Sequence, residues 1–477
     1  MCFAQAVYGI AQYFRLLPAF GIFRVTGSFD NPAGFTACLC AGFPFFFYFL
    51  SVKEVWIRSI TVTGMIIVGL AIILSGSRAG MLALTAIVVF GFFYLFQINT
   101  TQKILVGFIL IFLLSSLYFL KRDSANGRLL IWKCSWEMIK EKPVFGYGSG
   151  GFKANYMNFQ ANHFEKHPDS KQAMLADNIN HPFNEYIGLI INYGFLRFLC
   201  FLLILYVLIR SFKNIKEKTL FTYSAVWCLA SIAVFALFSY PLRYPFVWVV
   251  GLLSCLTILF QGNNKMIKIF NKSYISSIII LLLVFFISYK SYGQLNAELK
   301  WCKVAHRSLA GETEQMLPEY QALHFKLYNN ELFLYNYAAE LNFSKHYEES
   351  LSVAQECERI FADYDLQMLI ADNYQQLKDY TKAEQLYQIA AAMCPAKFVP
   401  LYNLTKMYVA IGRKTEAVAI AQQILDKPIK IASPTIVAIR REMMQLIETE
   451  KNNNLQNENT RQGNTPNEHS LDAALPP

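Results

Sequence analysis

Long apolar runs alternate with short polar stretches over residues 1–291 of the chain. A helix needs about 20 mostly apolar residues to cross a bilayer, so each long run is a candidate span. The pattern predicts eight spans, at about residues 34–50, 58–76, 80–97, 104–120, 186–209, 219–239, 245–261 and 273–291. Residues 2–14 have the composition of the end of a further span, and no signal-peptide pattern precedes them. We therefore expect the earliest spans of a longer natural protein to be missing.

From about residue 300 the pattern changes to polar helical segments that repeat with a period near 33. Equivalent places are occupied by Tyr347-Glu348-Glu349-Ser350, Tyr380-Thr381-Lys382-Ala383 and Lys414-Thr415-Glu416-Ala417. Such a period in paired helices resembles the tetratricopeptide repeat, in which small residues let neighbouring pairs stack. We predict a repeat domain at residues 300–450. The Asn-, Gln- and Glu-rich residues 451–477 are expected to form a disordered tail.

Composition agrees with an all-α fold, in which a polytopic membrane helical bundle (residues 1–292) precedes a helical-repeat solenoid. The chain is 55% hydrophobic and 16% charged, whereas soluble proteins are about 25% charged. Its net charge of +10 is dispersed among apolar segments and carries no nucleic-acid motif, so we expect membrane lipids and no nucleic acid as partners. The ten cysteines lack CxxC or Cys/His metal spacing, so no metal site or cofactor is expected.

Basic residues in the short loops predict the orientation of the bundle, because cytoplasmic loops are enriched in Lys and Arg. One set of alternating loops holds Lys53, Arg58, Lys103, Arg210, Lys213, Lys216, Lys218, Lys265, Lys268 and Lys272, and the other holds Arg15, Arg24, Arg78 and Arg243. The first set is expected to be cytoplasmic. We expect a multi-pass protein of a bacterial inner membrane, in which the long loop 121–182 and all residues after 291 face the periplasm.

Three basic side chains are candidates for chemistry on that outer side. Arg78 lies in Ser75-Gly76-Ser77-Arg78-Ala79-Gly80, where small residues permit close helix approach and an inward-facing, anion-binding guanidinium. A guanidinium that snorkels to the headgroups is the alternative. Arg128 begins a helical stretch and is either a ligand for an anion or a solvated charge. His181 precedes a span, where an imidazole can take a proton near neutral pH or serve a structural role.

Two further motifs have simple structural interpretations. Thr26 to Gly34 includes Asn31-Pro32, which is typical of a capped helix start, with Asp30 or Asn31 as the N-cap. The segment Gly146 to Gly151 is rich in glycine but lacks the Gly-Lys-Ser/Thr ending of a phosphate loop. A tight turn is therefore the favoured interpretation of the second motif.

In order along the chain, these motifs resemble those of the O-antigen ligase and polymerase superfamily. The motifs are Gly27-Ser28-Phe29-Asp30-Asn31-Pro32, Ser75 to Gly80, Gly127-Arg128 with Trp132, Pro143 with Gly146 and Gly148, and His181 before a span. The resemblance covers about residues 3–260. It implies a polytopic transferase with a layout similar to GT-C-type glycosyltransferases. Such an enzyme moves a glycan from an undecaprenyl-pyrophosphate carrier to an acceptor, without a metal or nucleotide sugar.

By resemblance, Arg78 and Arg128 match the pyrophosphate-contacting arginines of that family, and His181 matches its outer-loop histidine, the candidate base. Asn31 and Asn184 complete the predicted substrate-binding set. The acceptor is a lipid core, a growing polysaccharide or a protein. The family often has His followed directly by Asn, whereas here two residues separate His181 from Asn184.

Two other functions remain open from the sequence. A membrane-anchored repeat scaffold would serve envelope polysaccharide assembly without catalysis and would bind a partner protein through the repeats. A protein-directed oligosaccharyl transferase differs from a ligase only in its acceptor. A transporter is disfavoured because the sequence shows no inverted repeat with broken helices.

Overall fold

The computed structural model describes residues 1–95, 122–262 and 274–462, together with residues 99, 101, 102 and 108. Helices dominate the described residues, which contain no strand, so the predicted all-α class is confirmed. Apart from residue 108, the predicted span 104–120 lies outside the described residues. The chain divides into two compact units, residues 1–159 with 179–299 and residues 160–178 with 300–477.

The first unit contains the apolar helices. They are α1 (Cys2–Tyr13), α2 (Pro32–Gly42), α3 (Phe45–Leu50), α4 (Val55–Leu74), α5 (Arg78–Leu95), α6 (Arg122–Glu141), α7 (Gly151–Lys166), α8 (Glu185–Asn214), α9 (Leu220–Ala236), α10 (Pro245–Gly262) and α11 (Tyr274–Arg307), of which α7 and α11 extend into the second unit. Four segments are long and apolar enough to cross a membrane: Pro32–Leu50, α4, α8 and α10. Two shorter apolar helices accompany them, Arg78–Tyr94 and α9. Several apolar helices of this kind are typical of a multi-pass membrane protein.

Helices α2 and α3 together occupy the predicted span 34–50, but they are separate helices. Pro44 lies between them, and because proline has no backbone N–H it interrupts the helical hydrogen bonding there. In the most apolar 18-residue stretch of Pro32–Leu50, 61% of the stretch is buried within the protein, whereas in that of α8 only 6% is buried. The first segment is therefore largely enclosed by other helices of the described bundle, whereas most of the apolar surface of α8 is exposed.

Small residues bring α5 close to α2, as the sequence predicted for the Ser75–Gly80 motif. A Cβ atom on Gly80 would lie 2.7 Å from Cβ of Thr36, so no larger residue fits there without movement. The hydroxyls of Thr36 and Ser77 are 2.9 Å apart in a hydrogen bond. Gly76 adopts φ 67° between α4 and α5, a left-handed conformation that favours glycine. This turn places Arg78 at the first residue of α5.

Helix α8 is broken at Gly194, which has φ 73° and ψ 176° inside the otherwise helical segment. The sequence predicted one continuous span at 186–209. A break in a membrane helix leaves backbone N–H and C=O groups without helical hydrogen bonds. The bilayer core holds no water to bond them, so other protein atoms must do so. The Pro143–Gly151 segment, which is the glycine-rich motif, supplies these atoms.

Backbone hydrogen bonds from the outer-loop turn complete the bonding of α8 on both sides of the break. The amides of Tyr147 and Gly148 donate to the carbonyls of Ile191 and Asn192 at 2.9 and 2.8 Å. In the other direction, the amide of Phe195 donates to the carbonyl of Pro143 at 2.8 Å, and Leu196 donates to Val144 at 3.4 Å. The motif is thus a tight turn, as predicted, and its backbone completes the hydrogen bonding of α8.

Glycine is required at two positions where the outer-loop turn contacts α8, Gly194 and Gly146. A Cβ atom on Gly194 would clash with the carbonyl of Val144, and one on Gly146 would clash with the backbone at Ile191–Asn192. Both residues also have positive φ, 73° and 67°. A side chain at either position would therefore separate the outer loop from α8.

We expect Gly194→Ala to reduce the amount of folded protein in the membrane, and Gly146→Ala to have the same effect. The positive φ costs about 1–2 kcal/mol for an L-residue, and the backbone clash adds to this. Gly69→Ala in α4 is the matched control, because its Cβ meets nothing within 4 Å. Thermal unfolding of detergent-solubilised protein measures the difference. If Gly194→Ala had the same melting temperature as Gly69→Ala, the hydrogen bonds between the outer-loop turn and α8 would not require glycine at position 194.

The second unit is a succession of short helices. They are α12 (Thr313–Leu327), α13 (Glu331–Phe343), α14 (Tyr347–Glu358), α15 (Tyr364–Gln376), α16 (Tyr380–Met393), α17 (Val399–Ala410), α18 (Lys414–Asp426) and α19 (Pro434–Gln462). The last helix continues beyond residue 451, where the sequence predicted the start of a disordered tail. Residues 463–477 lie outside the described residues.

Three of the turns between these helices share one conformation. Lys345, Lys378 and Gly412 have φ 64°, 64° and 78°, so they lie in the left-handed region. In each turn the following amide donates to the carbonyl five residues earlier, at 2.9 Å: His346 to Leu341, Asp379 to Tyr374 and Arg413 to Tyr408. This is the bonding of a Schellman helix end. The turns recur with the period near 33 that the sequence predicted.

Residues 160–178 of the outer loop pack on these helices, within the same unit. The side-chain amide of Gln160 donates to the carbonyl of Met393 at 2.7 Å. At the other end of the segment, the amide of Asn178 donates to the carboxylate of Asp363 at 2.6 Å. The predicted division placed the whole outer loop with the membrane domain, whereas the structure groups this part of the loop with residues 300–477.

Candidate functional site

Arg78 lies against α6 at the start of α5. Its Nη2 donates a hydrogen bond to the hydroxyl of Ser124, at 2.7 Å. Ser124, Arg128 and Trp132 are spaced four residues apart on α6, so they share one face of that helix. The contact with Ser124 therefore places Arg78 on the face of α6 that carries Arg128.

Arg128 lies close enough to Arg78 for the charge of Arg78 to affect its pKa. Burial, followed by the positive charge of Arg78, lowers the pKa of Arg128 to about 10. This guanidinium remains protonated at neutral pH. The site therefore holds two like charges close together, and one of them is partly removed from water. Such an arrangement is costly without an anion and becomes favourable when an anion binds between the charges.

The segment that begins α8 is attached to the same face of α6. The indole nitrogen of Trp132 donates to the carbonyl of Pro182 at 3.0 Å. The guanidinium carbon of Arg128 lies 5.4 Å from the centre of the Phe183 ring, a cation–π contact. Phe183 itself has φ 51°, which is unusual for a bulky residue. These contacts hold the residues after His181 close to the two arginines.

His181 lies between this segment and the turn before α10. Its ring centre is 4.7 Å from that of Tyr240, and its Nε2 is 3.0 Å from Nη1 of Arg243. Tyr240 also contacts Phe183, with ring centres 5.5 Å apart. Burial raises the pKa of Tyr240, while the charges of Arg243 and Arg128 lower it, so both guanidiniums lie near this ring. Tyr240 thus links His181 to the arginine pair.

Asn31 is the N-cap of α2, as the structural interpretation of its motif predicted. Its Oδ1 accepts from the amides of Ala33 and Gly34 at 2.8 and 3.0 Å, with Pro32 at the first helical position. Its Nδ2 lies 3.0 Å from the hydroxyl of Tyr244. Asn31 therefore links the start of α2 to the turn that carries Arg243.

Asn184 is the N-cap of α8. Its Oδ1 accepts from the amides of Tyr186 and Ile187 at 3.0 and 3.1 Å. Capping uses the amide oxygen of each asparagine and accounts for why asparagine stands at both positions. A contact with substrate would have to use the Nδ2 groups.

The N-termini of four apolar helices meet around these side chains. The start of α2 contacts Tyr244, which precedes α10, and Thr36 on α2 contacts Ser77, which precedes α5. At the start of α8, Glu185 accepts from the amide of Leu242 at 3.0 Å. Helix N-termini carry partial positive charge, so their dipoles reinforce the guanidiniums. The site is suited to an anion.

Sequence reasoning missed the turn 240–244. Tyr240, Arg243 and Tyr244 contact His181 or Asn31, yet they lie at least 59 positions from His181 in the chain. The one available signal was Arg243, which the charge count placed among the few basic residues of the outward loops. Nothing in its local sequence indicated a contact with His181.

The fold and the site together define a helical, multi-pass membrane protein with a cationic site at the N-termini of its helices. Residues 63–202 match the family model Wzy_C, described as O-Antigen ligase. This match supports similarity to the O-antigen ligase superfamily over that segment and suggests a glycosyltransferase-like enzyme. The matched region contains Arg78, Arg128 and His181. A comparison with curated proteins finds no match.

An anion bound between the arginines should stabilise the protein. We expect farnesyl pyrophosphate to raise the melting temperature of the purified protein, since a ligand at 100 times its Kd adds about 2.7 kcal/mol of stability. In Arg128→Gln the shift should be lost. The melting temperature without ligand should be equal to or above that of the wild type, because a partly buried, repelled charge has been removed.

The exposed Arg122 on the same helix provides the control. Arg122→Gln should keep the full shift, and farnesol should produce none in any variant. An undiminished shift in Arg128→Gln would place the anion elsewhere.

Proposed function

We propose that this chain transfers a glycan from an undecaprenyl-pyrophosphate carrier to an acceptor on the periplasmic side of the inner membrane, as an O-antigen ligase or polymerase does. The observation that carries the proposal is the close pair Arg78 and Arg128, set among helix N-termini beside His181. A scaffold without chemistry has no use for two adjoining guanidiniums, one of which is partly buried.

The pair would bind the pyrophosphate. Guanidiniums form bidentate, charge-assisted hydrogen bonds to phosphate oxygens. As the acceptor oxygen bonds to the anomeric carbon, the bond from that carbon to the pyrophosphate oxygen breaks, and negative charge grows on the leaving group. Arg78 and Arg128 would stabilise this charge in the transition state. We propose metal-independent transfer, because the arginines supply positive charge at the leaving group.

His181 would act as the general base. It would accept the proton of the acceptor hydroxyl as that oxygen attacks the anomeric carbon. The carrier then leaves as undecaprenyl pyrophosphate. The protonated imidazole returns its proton to water, so His181 is neutral again for the next cycle. Tyr240 packs against the imidazole ring and would hold its orientation. The acceptor itself, whether lipid core, growing polysaccharide or protein, would approach from the periplasmic side.

We propose that the second unit is a tetratricopeptide-like repeat domain on the same side of the membrane. The three Schellman turns and their spacing support the repeat. Residues 160–178 belong to the outer loop and pack with residues 300–477 in one unit, which supports a common, periplasmic side for both. Such a domain would hold the acceptor or a partner protein.

The proposal predicts a loss of transfer in conservative variants. Arg78→Lys and Arg128→Lys keep the charge but lose the bidentate geometry, and removal of one such transition-state contact costs about 100-fold or more in rate. His181→Ala should accumulate carrier-linked glycan. Arg122→Lys is the control. Analysis of the envelope glycans and the carrier-lipid pool, at matched protein levels in the membrane, measures these effects. Normal glycan attachment in the Arg78 and Arg128 variants would support a scaffold instead.

The proposed orientation can be tested with a natural cysteine. Cys302 is exposed on α11, so a membrane-impermeant maleimide should label it from the periplasm while the inner membrane is intact. Cys302→Ser should lose this label. In a Lys216→Cys variant, the added cysteine lies in an expected cytoplasmic loop and should react only after lysis. Labelling of Cys302 only after lysis would place the repeat domain in the cytoplasm.

A further inference from the structure

The bond between Arg243 and His181 determines which nitrogen of the imidazole carries a proton. A guanidinium has donors and no acceptor, so Nε2 of His181 must accept from Nη1 of Arg243. The imidazole is then neutral, with its proton on Nδ1. Its basic lone pair on Nε2 is occupied by Arg243, and in this state His181 cannot use Nε2 to take a proton from an acceptor.

The backbone that carries Arg243 is held on both sides. Pro241–Arg243 forms a single short 3₁₀ turn. The amide of Leu242 donates to Oε1 of Glu185 at 3.0 Å, and its carbonyl accepts from the indole nitrogen of Trp248. The turn is thereby fixed to the starts of α8 and α10.

The side chain of Arg243 is exposed although its backbone is held, so the guanidinium has room to reorient. The guanidinium bonds to a neutral imidazole. A phosphate oxygen is a stronger partner, because it carries a negative charge that attracts the guanidinium and allows a bidentate bond, which a neutral imidazole nitrogen does not. An anion that reached Arg78 and Arg128 would therefore compete with His181 for Arg243.

We propose that Arg243 is a positioning residue that occupies Nε2 of His181 until a polyprenyl diphosphate binds. The guanidinium then turns to a phosphate oxygen, and Nε2 becomes able to accept the proton of the acceptor hydroxyl. This inference rests on the proposed function and deepens it: the base is released by the donor substrate. No proton is transferred in the exchange itself, since one hydrogen bond replaces another. An empty site would then be unable to activate water or an acceptor.

Tyr240 packs against the ring of His181, and Phe183 contacts Tyr240 in turn and also lies against the guanidinium of Arg128. Glu185 follows on the same segment, but its carboxylate accepts from the backbone of Leu242. Tyr240 contacts His181 through its ring, whereas Arg243 bonds to Nε2, so Arg243→Gln is the variant that tests the hydrogen bond at that nitrogen.

The test is the ¹⁵N spectrum of His181 in protein reconstituted in lipid nanodiscs, with the signal assigned by His181→Gln. Without ligand, the wild type should show the Nδ1–H tautomer with a hydrogen-bonded Nε2. Arg243→Gln should lose this signature, and Arg243→Lys should restore part of it. Farnesyl pyrophosphate should convert the wild-type spectrum toward that of Arg243→Gln and should leave the variant nearly unchanged.

A second measurement separates this inference from the proposed function. Arg243→Gln should weaken farnesyl pyrophosphate binding, read from the thermal shift, by about tenfold or more, since one hydrogen bond to a charged group is lost. Arg24→Gln, which removes an exposed outer-loop arginine, should change neither measurement.

The outcomes are distinguishable. If farnesyl pyrophosphate binds the wild type and the His181 signals do not move, or move equally in Arg243→Gln, the release of the base is overturned while the transferase proposal stands. If the wild type binds no farnesyl pyrophosphate, both are overturned. If Arg78→Lys and Arg128→Lys transfer glycan normally but the His181 exchange is observed, the proposed function alone fails.

Discussion

The backbone hydrogen bonds that close the break in α8 are the constraint on which the rest of the membrane unit depends. A helix interrupted at Gly194 leaves donors and acceptors that lipid cannot satisfy, and the outer-loop turn at residues 143–151 satisfies them. The same bonds fasten the loop to the helix that begins just after His181. The position of the histidine segment relative to α6 therefore depends on main-chain geometry and not on flexible side chains alone.

On this support the protein brings two positive charges to one face of α6. Arg78 and Arg128 repel each other, and the second is partly desolvated. Helix N-termini add to the field. An anion bound between the two guanidiniums would compensate for this repulsion, so an anionic ligand is the natural counterpart of the site. The third guanidinium, of Arg243, extends this charge to the imidazole.

Helix existence and several local roles were predictable from sequence because they depend on neighbouring residues. Apolar length located the apolar helices of the first unit, Asn31-Pro32 identified a capped helix start, and glycine spacing identified the turn at residues 143–151. The break at Gly194 was not foreseen. Its necessary partner lies about 50 residues earlier, and an apolar run that contains one glycine looks like any continuous span.

The sequence by itself determined the helical membrane class, the repeat period near 33 and the residue types able to bind a diphosphate, because hydropathy and periodicity are local properties. Only the tertiary structure decided which of those residues meet. It placed Arg128 beside Arg78, used the oxygens of Asn31 and Asn184 as helix caps, and brought the turn 240–244 to His181. Contacts of this kind depend on the packing of helices distant in the chain, which no local pattern encodes.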